Sequence, residues 1–587
     1  MAVLATPPIG RRVNGFREAT PFHIEHPCRA RATRTVPPFA VDAHRGRIWL
    51  ARSWYAGCKT ATKPFTRSAA LSMDAWGAPG TSPPPLNAAL LLWRSATRGG
   101  DRPAVVERDS TVSYTALRDR AATIGAALRA AGIGADDRVA ILLERGRDAA
   151  AAFFGTLAAG AIAVVVNETL RPRQIEHVLA HSSARCLITT GDLLARQPRR
   201  LSTNAVVLDA SAIPTAGESF APVSRLHDDV AQIVYTSGST GLPKGVAVSH
   251  ANLWALTSAV VAYLGLTEAD RLASLLPFSF VYGVGQLLCA VGAGAALVVE
   301  RSPLPQQMID TVRGEGATVL AAVPPLWSRL LRVPAFIEAP LPRLRVMTNA
   351  GGHLPAEAVR TLRQAQPGAQ LYLMYGLTEA LRCTYLPPDE LARRPDSIGR
   401  AIPGSEVYVL LDDGTPAPPG EIGELVYRGP TVTLGYWNDP ELTARVFRSN
   451  PLRPPGAPDA ERVVFSGDLV RRDDEGFLYF VGRRDRIIKT MGYRVGPDEI
   501  LSVLHTSGEV ADAVVTGEPD EARGERIVAY VVLGPQGSLE RLQTYCGREL
   551  PRYLQPARIE VRDVLPLLAS GKHDVEAVRA APGHVAL

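Results

Sequence analysis

The sequence predicts an α/β protein with a large body and a small C-terminal unit of mixed helix and strand. Three observations carry this. From about residue 86, helical periodicity alternates with short apolar strand runs, the rhythm of parallel sheets covered by helices. Between 402 and 428 the pattern changes to strands alternating around Asp413-Gly414, which marks antiparallel pairing. The last hundred residues return to a shorter βα arrangement. A chain of 587 residues is long enough for roughly three to four domains.

Residues 1–83 show no sustained period and are rich in proline and arginine. They are expected to be a disordered basic extension, or sequence upstream of a true start at Met73. This stretch holds 12 Lys and Arg against 4 Asp and Glu, so the net charge of +6 belongs to it and the remainder is slightly negative. No nucleic-acid partner is therefore expected. In the body, Leu117, Ala121, Ile124 and Leu128 recur at helical spacing before Gly132, and a strand follows over 139–143. The uncharged run 149–166 contains Gly155 and Gly160 and ends in three valines. It is read as a buried helix turning into a buried strand, with no membrane span. A helix over 173–181 and strands over 186–190 and 231–234 continue the rhythm. Strands are expected over 406–411 and 423–428, and in the C-terminal unit over 510–516, 526–533 and 558–561.

Only five of the 64 basic residues are lysine, and after residue 63 just three remain: Lys244, Lys489 and Lys572. Each sits in a glycine-bearing motif, so each is a candidate for work that needs a compact ammonium rather than a planar fork. Six scattered cysteines without a CxxC pair argue against disulfides or a cysteine zinc site, and for a reducing, cytoplasmic setting. His177 and His181 stand at i, i+4, but without a third ligand they read as a helix surface pair.

The decisive segment is Tyr235-Thr236-Ser237-Gly238-Ser239-Thr240-Gly241-Leu242-Pro243-Lys244-Gly245. Glycines let backbone N–H groups close around an anion, hydroxyls add donors, and Lys244 adds charge. This describes a polyphosphate cradle. It is not a Walker loop, because Lys244 is followed by Gly245 and not by Ser or Thr.

That segment resembles the signature loop of the adenylate-forming superfamily, which includes acyl-CoA ligases, nonribosomal peptide synthetase adenylation domains and luciferases. Further motifs follow in the family's order: Asn349-Ala350-Gly351-Gly352, Tyr375-Gly376-Leu377-Thr378-Glu379, Gly423-Glu424-Leu425, Phe465-Ser466-Gly467-Asp468, residues 482–494, and Ser570-Gly571-Lys572. The closest likeness is to exosortase-associated acyl-CoA ligase-like proteins, over 375–387 and 477–495.

The resemblance implies a large adenylating domain over 84–484, built from α/β subdomains and a distorted β-barrel, and a small mobile α+β domain over 485–587. It implies ATP, magnesium and CoA (or a carrier-protein phosphopantetheine) as cofactors, and a carboxylic acid as substrate. Lys572 would bridge the carboxylate and the α-phosphate, Thr378 would donate to that phosphate, and Glu379 would hold magnesium. Thr236, Ser237, Gly238, Ser239, Thr240, Gly241 and Lys244 would cradle the phosphates. Adenine would lie between Ala350-Gly351-Gly352 and the Tyr375-Gly376 segment, with Asp468 and Arg483 at the ribose. Asp485 would be the hinge, Lys489 would serve the second step, and Gly492 would line the thiol tunnel. Phe280, Val281, Tyr282 and Gly283 align with the acid pocket. Val281 replaces the aspartate that pairs with an α-ammonium in amino-acid-activating domains, which favours an acid lacking that group. Gly283, Gly351 and Gly352 would leave room for an extended acyl chain.

Overall fold

Most strands of the body are short and buried on both faces, as expected where helices cover a sheet on either side. The computed structural model describes residues 86–580 apart from 171, 198–199, 215–219, 237–242, 455, 457–460, 485, 487, 491–492, 521–523, 551, 553 and 569–571. All of these fall in one unit, Gly77–Leu587. The expected N-terminal extension lies outside the described residues, as do Ser237, Gly238, Ser239, Thr240, Gly241, Asp485 and Gly492. Lys489 is described through its backbone alone, within the strand Ile488–Thr490.

The helix expected before Gly132 is Tyr114–Ala130. The Ser113 hydroxyl caps its start by accepting from the Ala116 N–H, and Gly132 follows its end at φ +72°. The uncharged run becomes the helix Arg147–Ala158 and the strand Ile162–Val165, both buried. No described helix is long and apolar enough to cross a membrane.

Among the described residues there are three sheets. In the seven-stranded sheet Val206–Asp209, Cys186–Thr189, Arg138–Ile141, Ile162–Val165 and Val230–Thr236 run parallel. Lys244–Ser249 then closes one edge as an antiparallel hairpin arm, with Gly435–Tyr436 beyond it. In the fourteen-stranded sheet Arg271–Ser274, Val319–Ala322, Val346–Asn349 and Gln370–Tyr375 are parallel neighbours. Antiparallel strands extend the same sheet: Thr384–Leu386, Ser397–Ala401, Leu478–Arg483, Arg462–Arg472, Ile422–Arg428 and Glu406–Leu410. The distorted barrel expected here is not closed among the described residues. Its strands continue the parallel sheet instead, because Thr384–Leu386 and Ser397–Ala401 carry the pairing across. The five-stranded sheet belongs to the C-terminal unit and includes Val510–Asp520, Gly524–Leu533 and Arg558–Val561. Cys186, Cys289, Cys383 and Cys546 are free and buried.

One buried polar contact ties the start of the described chain to this core. His250 opens the helix His250–Leu264, is fully buried, and its Nδ1 accepts from the Ala88 N–H at 3.0 Å. Its Nε2 has no partner. Burial, aided by Arg225, pulls its pKa down to about 4, so the folded protein holds a neutral imidazole. The unfolded chain binds a proton near pH 6.5 and the folded one near 4, so stability falls as pH drops through that window. Between pH 7 and pH 4.5 this group alone should withdraw about 2 kcal/mol. Denaturant unfolding at the two pH values should show that excess loss in the wild type over His250→Gln. Equal losses would contradict the assignment.

Candidate active site

Of the residues singled out by sequence, Thr236, Ala350, Gly351, Gly352 and Tyr375 stand at the carboxyl ends of strands of the two parallel arrays, where open α/β sheets leave a crevice. Val230–Thr236 and Lys244–Ser249 pair so that Thr236 stands directly opposite Lys244. The hairpin thus sets both residues at the mouth of the hydroxyl-rich loop. Behind it, His181 Nδ1 lies 2.9 Å from the Tyr235 hydroxyl, and His177 Nε2 lies 3.0 Å from the Pro243 carbonyl oxygen. The two imidazoles stack with centroids 5.5 Å apart. This corrects the surface-pair expectation: the histidines are half-buried and hold the two residues that flank the loop. Burial lowers the His181 pKa, with His177 adding to the effect.

Val346–Asn349 delivers Ala350, Gly351 and Gly352 to the same edge, with Gly351 at φ +84° and the Asn349 amide donating to the Gly352 carbonyl at 3.1 Å. Its neighbour Gln370–Tyr375 ends on Tyr375, whose hydroxyl donates to Asp468 Oδ2. Asp468 pairs in register with Arg483, and Arg483 Nη1 sits 2.9 Å from Asp468 Oδ1. Burial raises the Asp468 pKa, while Arg483, Tyr375 and Lys572 oppose it. Gly467, at φ +70°, turns the chain just before Asp468, and its N–H donates to Glu424 Oε1 at 2.9 Å. Arg484 reaches the other oxygen of Glu424 at 3.4 Å.

Thr378–Ala380 forms a single 3₁₀ turn. Glu379 Oε1 accepts from the Tyr436 hydroxyl, and the Glu379 carbonyl accepts from Thr433 N–H at 2.9 Å and its hydroxyl at 2.8 Å. Glu379 Oε2 has no hydrogen-bond partner among the described residues. That free hard oxygen fits a magnesium ion. No group of three or more His, Cys, Asp and Glu converges among the described residues, so its other ligands would be phosphate and water oxygens. Leu381 follows at φ 53°, ψ −64°, with Arg382 N–H donating to the Ala380 carbonyl at 2.6 Å. This is a γ-turn of the strained hand, which costs a side-chain-bearing residue about 1–3 kcal/mol. Gly376 lies against that turn: a Cβ there would stand 2.7 Å from the Leu381 oxygen.

Lys572 lies in the arm that follows Leu567, bridged to it through His573, with the Lys572 carbonyl accepting from Leu568 N–H at 2.7 Å. The residue as a whole is exposed, yet its ammonium sits among enough protein to lose hydration and is within electrostatic reach of Asp468, Arg483, Arg486 and Glu379. Desolvation in the cleft lowers its pKa, and Asp468 opposes the shift. Lys572 is therefore within electrostatic reach of both Asp468 and Glu379.

The acid stretch opens the helix Val281–Ala293, with Phe280 at its N-cap position. Tyr282 points inward and its hydroxyl donates to the Thr348 carbonyl at 2.8 Å. Gly283 does not leave the room expected of it. A Cβ there would lie 1.9 Å from the Pro277 carbonyl oxygen, so the glycine is required by backbone approach. Gly351 and Gly352 likewise face Val323 and Pro324 at 3.3 and 3.2 Å. Sequence reasoning missed Thr433, Tyr436 and Arg382, and quoted Glu424 without a role. Tyr436 was signalled by the Gly435-Tyr436-Trp437 run, and Arg382 by a charge three residues past Glu379.

The sequence matches the AMP-binding enzyme family over residues 92–437 and the AMP-binding enzyme C-terminal domain over 499–572. It is 34% identical to novobiocin biosynthesis protein H of Streptomyces niveus, covering 82% of this chain and 81% of that protein. It is 33% identical to the sulfoacetate–CoA ligase of Cupriavidus necator, covering 83% and 96% respectively. Bacitracin synthase 3 of Bacillus licheniformis is 31% identical over 84% of this chain, which spans 8% of that much longer protein. Among solved structures, ATP-bound MatB from Rhodopseudomonas palustris superposes with a TM-score of 0.75 at 25% identity, over 84% of this chain and 98% of that one. The o-succinylbenzoate CoA synthetase MenE of Bacillus subtilis, solved with its acyl-adenylate, gives 0.75 at 26% identity, over 84% and 98%. With the strand-end cleft and the family match over more than half its length, the chain belongs to the AMP-binding enzymes, the adenylate-forming ligases that include acid–CoA ligases and peptide-synthetase adenylation units.

Proposed function

We propose that this chain uses ATP and magnesium to convert a carboxylic acid to an acyl-adenylate, and then passes the acyl group to the thiol of CoA. The observation that carries this is the position of the Lys572 ammonium, within electrostatic reach of both Asp468 and Glu379. A carboxylate oxygen attacks the α-phosphorus of ATP, the α–β phosphoanhydride breaks, and pyrophosphate leaves. Two anions must approach each other, so the chain's contribution is fixed positive charge in a cleft of low dielectric. Lys572 lies between the reacting anions, Lys244 and Thr236 hold the outer phosphates, and Thr378 donates to the α-phosphate. Glu379, oriented by Tyr436, holds the magnesium ion, which neutralises phosphate charge when bound. Asp468 accepts from the ribose hydroxyls, with Tyr375 and Arg483 fixing its carboxylate.

In the second step a thiol sulfur attacks the acyl carbon and AMP leaves. Residues 84–484 and 485–587 act as separate domains, and the smaller turns about Asp485 between steps. That turn withdraws Lys572 and brings the Lys489 face over the adenylate, with Gly492 keeping the thiol's path clear. CoA is favoured as acceptor because a relative matched over 96% of its own length is named as a CoA ligase. A carrier-protein phosphopantetheine is the second reading, supported by the peptide-synthetase relatives. Both co-substrates place the reaction in the cytoplasm. Val281, with no charge to offer an ammonium, favours an acid without an α-amino group.

Lys572→Ala should cut acid-dependent pyrophosphate exchange by about a hundredfold or more and leave thiolysis of supplied acyl-AMP nearly intact. Equal damage to both half-reactions would remove the assigned role. The protonated form of Lys572 is the active one, and its pKa lies below the usual lysine range. The pH profile of kcat/KM for adenylation should therefore fall as pH rises, with its midpoint below the usual lysine range. Lys572→Arg should abolish that limb, and its persistence in the variant would assign it to another group.

A further inference from the structure

Arg382 is a buried cation with no acid beside it. It is 5% exposed, and its Nε has no hydrogen-bond partner. No carboxylate lies within ion-pair distance of it among the described residues. Of the other buried arginines among the described residues, three have carboxylate partners, and Arg145, whose Nε is also without a hydrogen bond, has a carbonyl. Arg145 donates to the Glu300 carbonyl, Arg225 pairs with Asp136 and Asp229, Arg394 with Glu390, Asp473 and Glu475, and Arg562 with Glu560. A guanidinium cannot shed its proton, so an unpaired one inside the protein is strongly unfavourable until an anion meets it.

The groups that Arg382 reaches are neutral, and Glu379 and Asp468 act on one of them, Cys383, without coming within ion-pair distance of the guanidinium. Its guanidinium carbon lies 5.1 Å from the centre of the Tyr282 ring. Its charge also reaches Tyr263, Cys289 and Cys383, all of which burial keeps protonated. Tyr282 belongs to the acid stretch and reaches across to Thr348, next to the Asn349–Gly352 strip. Ser279, in the same stretch, is 7% exposed and its hydroxyl has no partner either. The strained turn at Leu381 fixes where Arg382 leaves the backbone, three residues past the proposed magnesium ligand. Strain retained beside a reacting centre is characteristic of positions set by function.

We propose that Arg382 is a specificity residue, pairing with a second anionic group on the acid, a carboxylate or sulfonate remote from the carboxylate that is activated. This rests on the adenylation reading above and narrows its substrate class. The fork geometry of guanidinium suits either oxyanion.

The test is pyrophosphate exchange with acids matched in shape and differing in the remote group: glutarate against its monomethyl ester, isophthalate against benzoate, and 3-sulfopropanoate against butanoate. The wild type should favour the charged member by a hundredfold or more in kcat/KM. The sulfonate arm distinguishes which oxyanion fits better. Arg382→Met should erase that preference, chiefly through KM for the charged acid, while the Kd for ATP measured by calorimetry stays the same. Arg382→Lys should restore part of the preference. Preference of the wild type for neutral acids, or an equal loss for both members in Arg382→Met, overturns the assignment and leaves adenylation standing. Exchange with no acid at all overturns both. Should the methionine variant fail to fold, the wild-type ranking decides the question alone.

Discussion

A carboxylate that burial tends to protonate holds the cleft together. Asp468 is 5% exposed, and its charge is kept only by partners that arrive from three separate parts of the chain. Tyr375 comes from the end of a parallel strand, Arg483 from the antiparallel neighbour, and Lys572 from the C-terminal arm. Each supplies positive charge or a donor that offsets desolvation. The dependence is mutual, since removal of Asp468 would leave Arg483 and Lys572 with less to oppose their own repulsion. The backbone around it is fixed in turn. Ser466 Oγ accepts from the Asp468 N–H at 3.0 Å and donates to the Leu425 carbonyl at 2.6 Å, while Glu424 holds Gly467. A sheet edge, a hairpin and a distant arm thereby share one electrostatic centre.

Much of this was legible in the chain because its signals are local. Helical spacing placed Tyr114–Ala130, alternation placed the antiparallel pair around Asp413-Gly414, and the strand Arg558–Val561 fell on the residues expected. The hydroxyl-rich loop and its lysine are read as an anion site because glycine, hydroxyl and ammonium in a row have few other uses, and residues 237–242 of that loop lie outside the described ones. What escaped depends on residues far apart in sequence. His177 meets Pro243 across 66 positions, and Tyr436 meets Glu379 across 57. No periodicity records such pairs. Glycine also misled for a physical reason: the absence of a Cβ looks the same whether the space serves a ligand or the Pro277 carbonyl. The expected barrel is not closed among the described residues for a related reason, since alternation identifies antiparallel strands but not what lies at their outer edge.

The site also separates its cations by chemistry. A lysine can lose its proton, and Lys572 is already pressed in that direction by the cleft. Its charge is therefore most favourable when anions are present, which suits the transient role proposed for it. An arginine has no such release. Placed without an acid among Tyr282, Tyr263 and two cysteines, Arg382 stays charged whether or not substrate is bound. The Tyr282 ring offsets part of that desolvation, and an anion arriving with the substrate would offset the rest.

Val281 and Arg382 then describe the same acid from two sides. At Val281 a substrate ammonium would find no carboxylate, and near Arg382 it would meet a like charge. A purely apolar chain avoids the first cost but leaves the guanidinium unsatisfied. An acid with a second oxyanion and no α-ammonium satisfies both constraints at once. The pocket's selectivity thus follows from which charges the protein leaves unpaired.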